Sequence, residues 1–316
     1  MMDPADLPDS SDAPPVRMDF SGVPSTVPER RSVFSSRSTS SPPAETAPLA
    51  VPRAAGPLRR VAAIGRAEVT LFVRNPTILA TALLLAPAMV VIMGPMLGRD
   101  LIGPAFATFL TEMLATWSLL MVVYYNLTVI FVTRREEGVF QRMSTGEATP
   151  WEALAGACLP SAAVAVVQVV LGTAAAMAFM EMRSLVNPLL MLVALAGGIV
   201  LLAAAAAWSS TWTATVEGAQ YSTMPVFMVL MLLSGSCLPL GSMPEGLRAV
   251  AARSPLYATS DLISLGMTGT SLDGSVTADG FAGTLAAAGR PALLLVCWCA
   301  AAWWVARRTM RFTRRR

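Results

Sequence analysis

Residues 188–207 read PLLMLVALAGGIVLLAAAAA, twenty residues without a charge, an amide or a hydroxyl. Wound as an α-helix, a run of this length reaches across the ~30 Å of hydrocarbon in a bilayer. Similar apolar blocks lie on either side, separated by short polar stretches. The spacing predicts spans near 77–97, 109–132, 154–180, 188–207, 224–240 and 291–306. Backbone groups in lipid must be bonded within the segment, so each block is expected to be a helix. The fold class expected is an all-α membrane protein with six transmembrane helices. Composition agrees: 54% of the 316 residues are hydrophobic and 14% charged, far from the ~25% charged of soluble domains.

Three absences narrow the chemistry. The chain has no His, and all 23 of its basic residues are Arg, so it has no Lys. Without Lys the G-x-x-x-x-G-K-[ST] loop that cradles nucleotide phosphates cannot be written. Without His there is no Ser-His or Cys-His pair and no imidazole metal site, so no catalytic and no metal-ligating residues are expected. Cys158, Cys237, Cys297 and Cys299 fall in or beside apolar blocks and read as small buried hydrophobes.

Residues 1–57 are rich in Pro, Ser, Arg and Asp and are expected to form a disordered cytoplasmic tail, because they carry too little apolar surface to offset the entropy of ordering. Arg30 and Arg31 are not followed by the apolar stretch that a twin-arginine export signal needs. Residues 58–76 form an amphipathic interfacial helix on this reading. Leu58, Val61, Ala62, Gly65, Val69, Phe72 and Val73 take one face, with Arg59, Arg66, Thr70 and Arg74 on another, facing anionic lipid headgroups. Asn75-Pro76 then turns the chain into the first span.

Arginine sets the orientation. With both termini in the cytoplasm, eighteen Arg fall inside and five outside, or thirteen against five when only those near the first span are counted in the tail. A multi-pass protein of the bacterial inner membrane is expected. The outer segment 241–290 holds two apolar stretches too short to cross, read as re-entrant outer helices before the last span. The first starts at Ser242 as cap with Glu245 three residues on. MTGTSLDGSVTADG, residues 267–280, is expected to be a flexible exposed loop.

The most charged stretch between spans is TRREEGVFQRMSTGEATPW, residues 133–151. A short helix over 134–143 would project its charges at a partner. REEGVFQRMSTGEATPWEALAGACLP, residues 135–160, resembles the segment of ABC-2 type permeases in which an E-x-G-T-x-E-R-L block precedes T-P, an aromatic and G-K-x-L-P. FMVLMLLSGSCLPLGSMPEGLRAVAARSPLYATSDLI, residues 227–263, is similar to that family's L-S-G-x-x-F-P-x-x-x-M-P block. With RNP at 74–76, the likeness covers nearly all of 58–310. Val139, Gln141, Ala157 and Leu238 depart from the family pattern.

The resemblance implies that 77–316 is a six-span permease domain that exports a lipophilic drug, antibiotic or similar amphiphile. It implies a second permease subunit, as a homo- or heterodimer, and an ABC ATPase subunit in trans that binds the ATP and Mg; this chain would bind no cofactor. Membrane lipid is the remaining partner, and no nucleic acid is expected. The family's ATPase-coupling segment carries onto Arg134, Arg135, Glu136, Glu137, Gly138 and Arg142. For the substrate pathway, polar residues inside spans are the candidates, since they are costly in lipid: Glu112, Asn126, Thr128 and Gln168. The methionines of 224–231 form an adaptable apolar wall or simple packing. The tryptophans, Trp117 among them, read as interfacial anchors near span ends. The alternatives are a permease for a polysaccharide or lipid-linked substrate, an ion-coupled secondary transporter, and a lipid-modifying enzyme. The last would rest on Glu136, Glu137, Glu147 and Glu152, which lack His or Lys partners.

Overall fold

The computed structural model describes residues 56–74, 104–138 and 149–310, except 181, 183, 184, 237, 239, 240 and 242, with isolated positions between 76 and 92. Apart from those isolated positions, the expected first span lies outside the described residues, as do the tail up to residue 55 and the loop 139–148, which includes Arg142.

Among the described residues the regular structure is helical, save one antiparallel bridge between Thr270 and Thr277. Helix α1 is Pro57–Val73. Helix α2, Pro104–Ser118, runs through a π-helical segment, Leu119–Tyr125, into α3, Asn126–Glu136. Then follow α4 (Pro150–Phe179), α5 (Pro188–Ser210) and α6 (Val216–Leu232). The short α7 (Glu245–Ala251) and α8 (Pro255–Thr268) precede α9 (Gly280–Ala287) and α10 (Gly289–Thr309). Among the described residues four helices are long and apolar enough to cross a membrane: the continuous Ala105–Glu136, then α4, α5 and α10.

One local device starts three of these helices: a polar cap followed by proline. Thr149-Pro150 opens α4, with the Thr149 hydroxyl accepting from the Glu152 amide and the Glu152 carboxylate accepting from the Thr149 amide. Asn187-Pro188 opens α5 and Ser254-Pro255 opens α8, each cap accepting from the amide three residues on. Proline has no N–H to waste at the first helical position, and the cap satisfies a donor that would otherwise be orphaned. The Asn187 side chain is buried and also donates to Thr284 at 3.0 Å, tying the start of α5 to α9. Asn187→Ala removes cap and tie together. It should lower stability by about 1–2 kcal/mol, read as a lower melting midpoint of the purified protein in detergent.

Helix α5 is the centre of the bundle, packed on α8, α10, α3 and the π-segment. Its glycines permit this. Gly198 faces Thr259 of α8 and Leu119 of the π-segment, and Gly197 faces Leu295 of α10. Small residues let helices approach where no hydrophobic effect drives them together. Side-chain hydrogen bonds add to the packing: Tyr124 of the π-segment with Ser209 of α5 (2.9 Å), and Thr116 of α2 with Ser260 of α8 (3.3 Å) and with Ser236 (3.0 Å).

Several expectations are corrected. The fifth apolar block, expected at 224–240, folds as α6 from Val216 to Leu232. Thr215 caps it by accepting from the Gly218 amide at 3.1 Å, and Gly235 at φ +77° lies in the turn beyond its end. Its first two turns, VEGAQYST, are too polar for hydropathy to register. Helix α7 starts one residue after Pro244, which occupies the cap position without a side-chain bond; the Ser242 cap lies outside the described residues. The segment 267–280 is not an unstructured loop. After α8 ends on Gly269 at φ +75°, a turn is closed by Ala278 N–H to Gly269 O and Ser271 N–H to Val276 O. Inside the turn, Asp273 accepts from Ser271 and Ser275, and α9, for which the sequence reading had no element, follows.

Candidate functional site

The candidates fall at two levels of the bundle. At the end where α3 stops and α4 begins, α3 finishes at Glu136, and Gly138 at φ +66° turns the chain into the loop. Arg134 and Arg135 therefore close the second-span helix instead of opening the separate helix expected over 134–143. Adjacent residues on a helix point about 100° apart, and these two part company. Arg134 pairs with Glu68 of α1. Arg135 turns into the bundle, 7% exposed, and donates to the carbonyls of Ser210, at 2.6 Å, and Thr213. Both carbonyls lie at or just past the C-terminal end of α5, where the last turn leaves acceptors unmatched. Glu136 is half-buried and Glu137 exposed.

Helix α1 is anchored from the other side of the loop as well. Arg60 donates through Nε and Nη2 to the two carboxylate oxygens of Glu152, at 3.0 and 2.8 Å, the two-pronged geometry that makes Arg–carboxylate pairs strong. Arg60, Ile64 and Glu68 are spaced by four and share one face. The surface that meets α4 combines this face with part of the expected apolar one: Gly65 is buried against Leu159 and Gly156 against Ile64, whereas Leu58, at 83%, and Ala62 are exposed. Arg59, Arg66 and Arg74 remain exposed. The result is a platform of α1, α3 and α4 that grips both flanks of the loop 139–148. The sequence reading missed Arg60 and Glu68 and gave Glu152 no structural role. Thr149-Pro150-Trp151-Glu152 carried the signal, since Thr and Glu three apart at a helix start form a capping box.

The four polar candidates inside the spans do not converge. Gln168 is buried and accepts from Ser118 at 2.6 Å. Thr128 is buried and bonds back to the carbonyl of Tyr124 at 2.7 Å, within its own helix. Glu112, 6% exposed, hydrogen-bonds Ser264 of α8. Asn126 lies on an exposed surface and donates to Ser161 at 3.2 Å. All four have a partner within the fold, and Asn126 is the one of the four on an open face.

Trp117 is the residue that the interfacial reading misplaced. It sits well inside the Ala105–Glu136 helix, two residues before the π-segment, 42% exposed and edge-on to Phe227 of α6 with ring centroids 5.6 Å apart. Tyr221, Met228, Val229 and Leu232 of α6 are exposed too. At the far end, a cavity of about 100 Å³ lies between α8, the 269–279 turn and the start of α10, with Tyr257, Asp261, Asp273 and Arg290 in its wall. Asp261 anchors the turn by accepting from the Leu272 amide at 2.7 Å. Burial pushes the Asp261 carboxyl above the usual aspartate range. At Asp273 burial acts the same way, but hydrogen bonds from Ser275 and Ser271 outweigh it and hold that carboxyl low.

These parts, an anchored amphipathic helix, a charged loop between the second and third expected spans, and paired short helices before the last, fall largely within the stretch that one family model matches. The model described as ABC-2 type transporter covers residues 59–267. The chain belongs to the ABC-2 type transporter family. The match runs from α1 to the last turn of α8, so the 269–279 turn, α9 and α10 lie beyond it, and the likeness is shorter than the expected 58–310. No curated protein matches the chain. As an ABC-2 family member it is a multi-pass membrane protein, and permease domains of this family generally work with an ATPase subunit.

Proposed function

We propose that the chain is the membrane-spanning permease of an ABC exporter, with six spans and both termini in the cytoplasm of a bacterial cell. It works as a dimer, and ATP is hydrolysed with Mg on a separate ATPase subunit. The observation that carries this reading is the platform around the loop 139–148. Its upstream flank is tied to α1 by Arg134 and Glu68, and its downstream flank by Glu152 and Arg60. A force applied to the loop by a closing ATPase dimer reaches α1, α3 and α4 together, and reaches the end of α5 through Arg135. Glu136, Glu137 and Arg142 are then the loop's contacts with the ATPase, whereas Arg134 and Arg135 transmit from behind it.

Helices α7 and α8 are the re-entrant pair: α8, at 14 residues, is ~21 Å long and cannot cross the hydrocarbon. The exported cargo is a lipophilic drug, antibiotic or similar amphiphile. Half-exposed Trp117 and the apolar flank of α6 support that class, since they offer a contact surface of rings and thioethers without a fixed charge.

The test is co-purification from the native host in mild detergent. Wild-type chain should bring down an ATPase with a phosphate-binding loop. Glu136→Arg with Glu137→Arg should cut its yield by at least about tenfold, because like charges set against a matched surface cost several kcal/mol. The variant's melting midpoint should stay near wild type. An absence of any ATPase with the wild type would end the exporter reading.

A further inference from the structure

Helix α10 has 21 residues, about 31 Å, so its length is used up in crossing ~30 Å of hydrocarbon. Of the four long helices it is the least covered by its own chain: 17% of its most apolar window is buried, against 44–61% in the others. Its last turns carry Trp303 and Trp304, 41% and 57% exposed, then Arg307 and Arg308. The Arg307 guanidinium lies over the Trp303 ring at 5.0 Å from its centroid, and the Arg308 guanidinium over Trp304 at 4.8 Å. Trp151 of α4 meets Trp303 at 5.4 Å. Neither arginine has an ion-pair partner among the described residues, and the sequence from 280 to 316 contains no acidic residue.

We propose that Arg307 and Arg308, each placed over a tryptophan ring at the end of α10, form a headgroup site for an anionic phospholipid. The reading rests on a cytoplasmic C-terminus only for the choice of leaflet. Both guanidinium groups are exposed, so their N–H donors are open to a phosphate, which a guanidinium can hold two-pronged. The exposed indoles lie where Trp seats at the headgroup level. A few residues of stem suffice to bring both charges to the phosphate plane, whereas a soluble acidic protein would have to reach into it. Arg311, Arg314, Arg315 and Arg316 follow in the sequence and add attraction.

The experiment measures phospholipid retained by the purified full chain after exchange into micelles doped with phosphatidylglycerol or phosphatidylcholine, counted by mass spectrometry. Both leaflets are equivalent in a micelle, so the result does not depend on orientation or on the exporter reading. Wild type should retain phosphatidylglycerol over phosphatidylcholine by about tenfold. Arg307→Gln with Arg308→Gln should abolish the preference. Arg307→Lys with Arg308→Lys keeps the charge and the orientation signal but loses the fork and the stacking; it should lower the preference at least about threefold. Excess glycerol phosphate should leave wild-type retention unchanged, as the acyl chains contribute to holding the lipid. Equal retention of both lipids by wild type overturns the site, as does a wild-type preference in either double variant. Displacement by glycerol phosphate, or an acidic protein co-purifying in place of lipid, also overturns it.

Discussion

Gly198→Leu should abolish the folded, monodisperse form of the protein. A Cβ at this position would lie 2.9 Å from Thr259 Cγ2 and 3.0 Å from Leu119 Cδ1, on two different elements, so neither neighbour can retreat without moving toward other packed atoms. Leu adds three further carbons to a site with no room for the first. Overpacking of a core costs typically ~1–3 kcal/mol and sometimes more. Here the inserted atoms wedge α5 from both α8 and the π-segment, the contacts that hold the centre of the bundle. Size-exclusion chromatography of the tagged chain in detergent should show loss of the main peak. Gly246→Ala is the contrasting case. Gly246 is in helix α7 with nothing within 4 Å of a built Cβ, so Ala should raise stability by about 0.5–1 kcal/mol. If Gly198→Leu elutes and melts as wild type does, the close approach of α5 to its neighbours is wrong.

The contrast between these glycines shows what the sequence can and cannot convey. Residues 188–207 are legible because lipid permits only an unbroken helix there, and α5 is that helix with three more residues at its end. The last block, 291–306, lies inside α10 for the same reason. Hydropathy fails where a helix leaves the apolar layer, as α6 does through its polar first turns. It also fails where two backbone states share one composition: LLMVVYY, the π-segment, reads like any α-helical stretch. Asp273-Gly274 with flanking serines was visible as turn chemistry, but the bond from Asp261 that orders the turn comes from a helix eleven residues upstream.

The candidate site was legible as a place and not as a division of labour. The charged segment was found by composition. That Arg134 reaches α1 while Arg135 reaches the end of α5 depends on which neighbour each face of α3 meets, and no local pattern states this. Polar residues inside spans were rightly singled out as costly in lipid. The same cost explains why Gln168, Thr128 and Glu112 are found satisfied by Ser118, Tyr124 and Ser264, because a partner inside the fold is the cheapest answer to desolvation.

Arg135→Leu separates the two roles that the sequence merged. Removal of the guanidinium strips two buried carbonyls, those of Ser210 and Thr213, of their donor, and an acceptor left unsatisfied costs ~1–3 kcal/mol. The loss should be about 3 kcal/mol or more in sum, a fall of roughly 6–10 °C in melting midpoint for a chain of this size. Arg135→Lys retains a charge but offers a compact ammonium in place of a fork, so it should recover about half of the loss by meeting one carbonyl. Below its own melting temperature, Arg135→Leu should still co-purify the ATPase, because the side chain faces inward. Reversal of Glu136 and Glu137 should do the opposite, with the fold kept and the partner lost. An Arg135→Leu protein that melts as wild type but loses the ATPase would return this residue to the docking surface and refute its place at the end of α5.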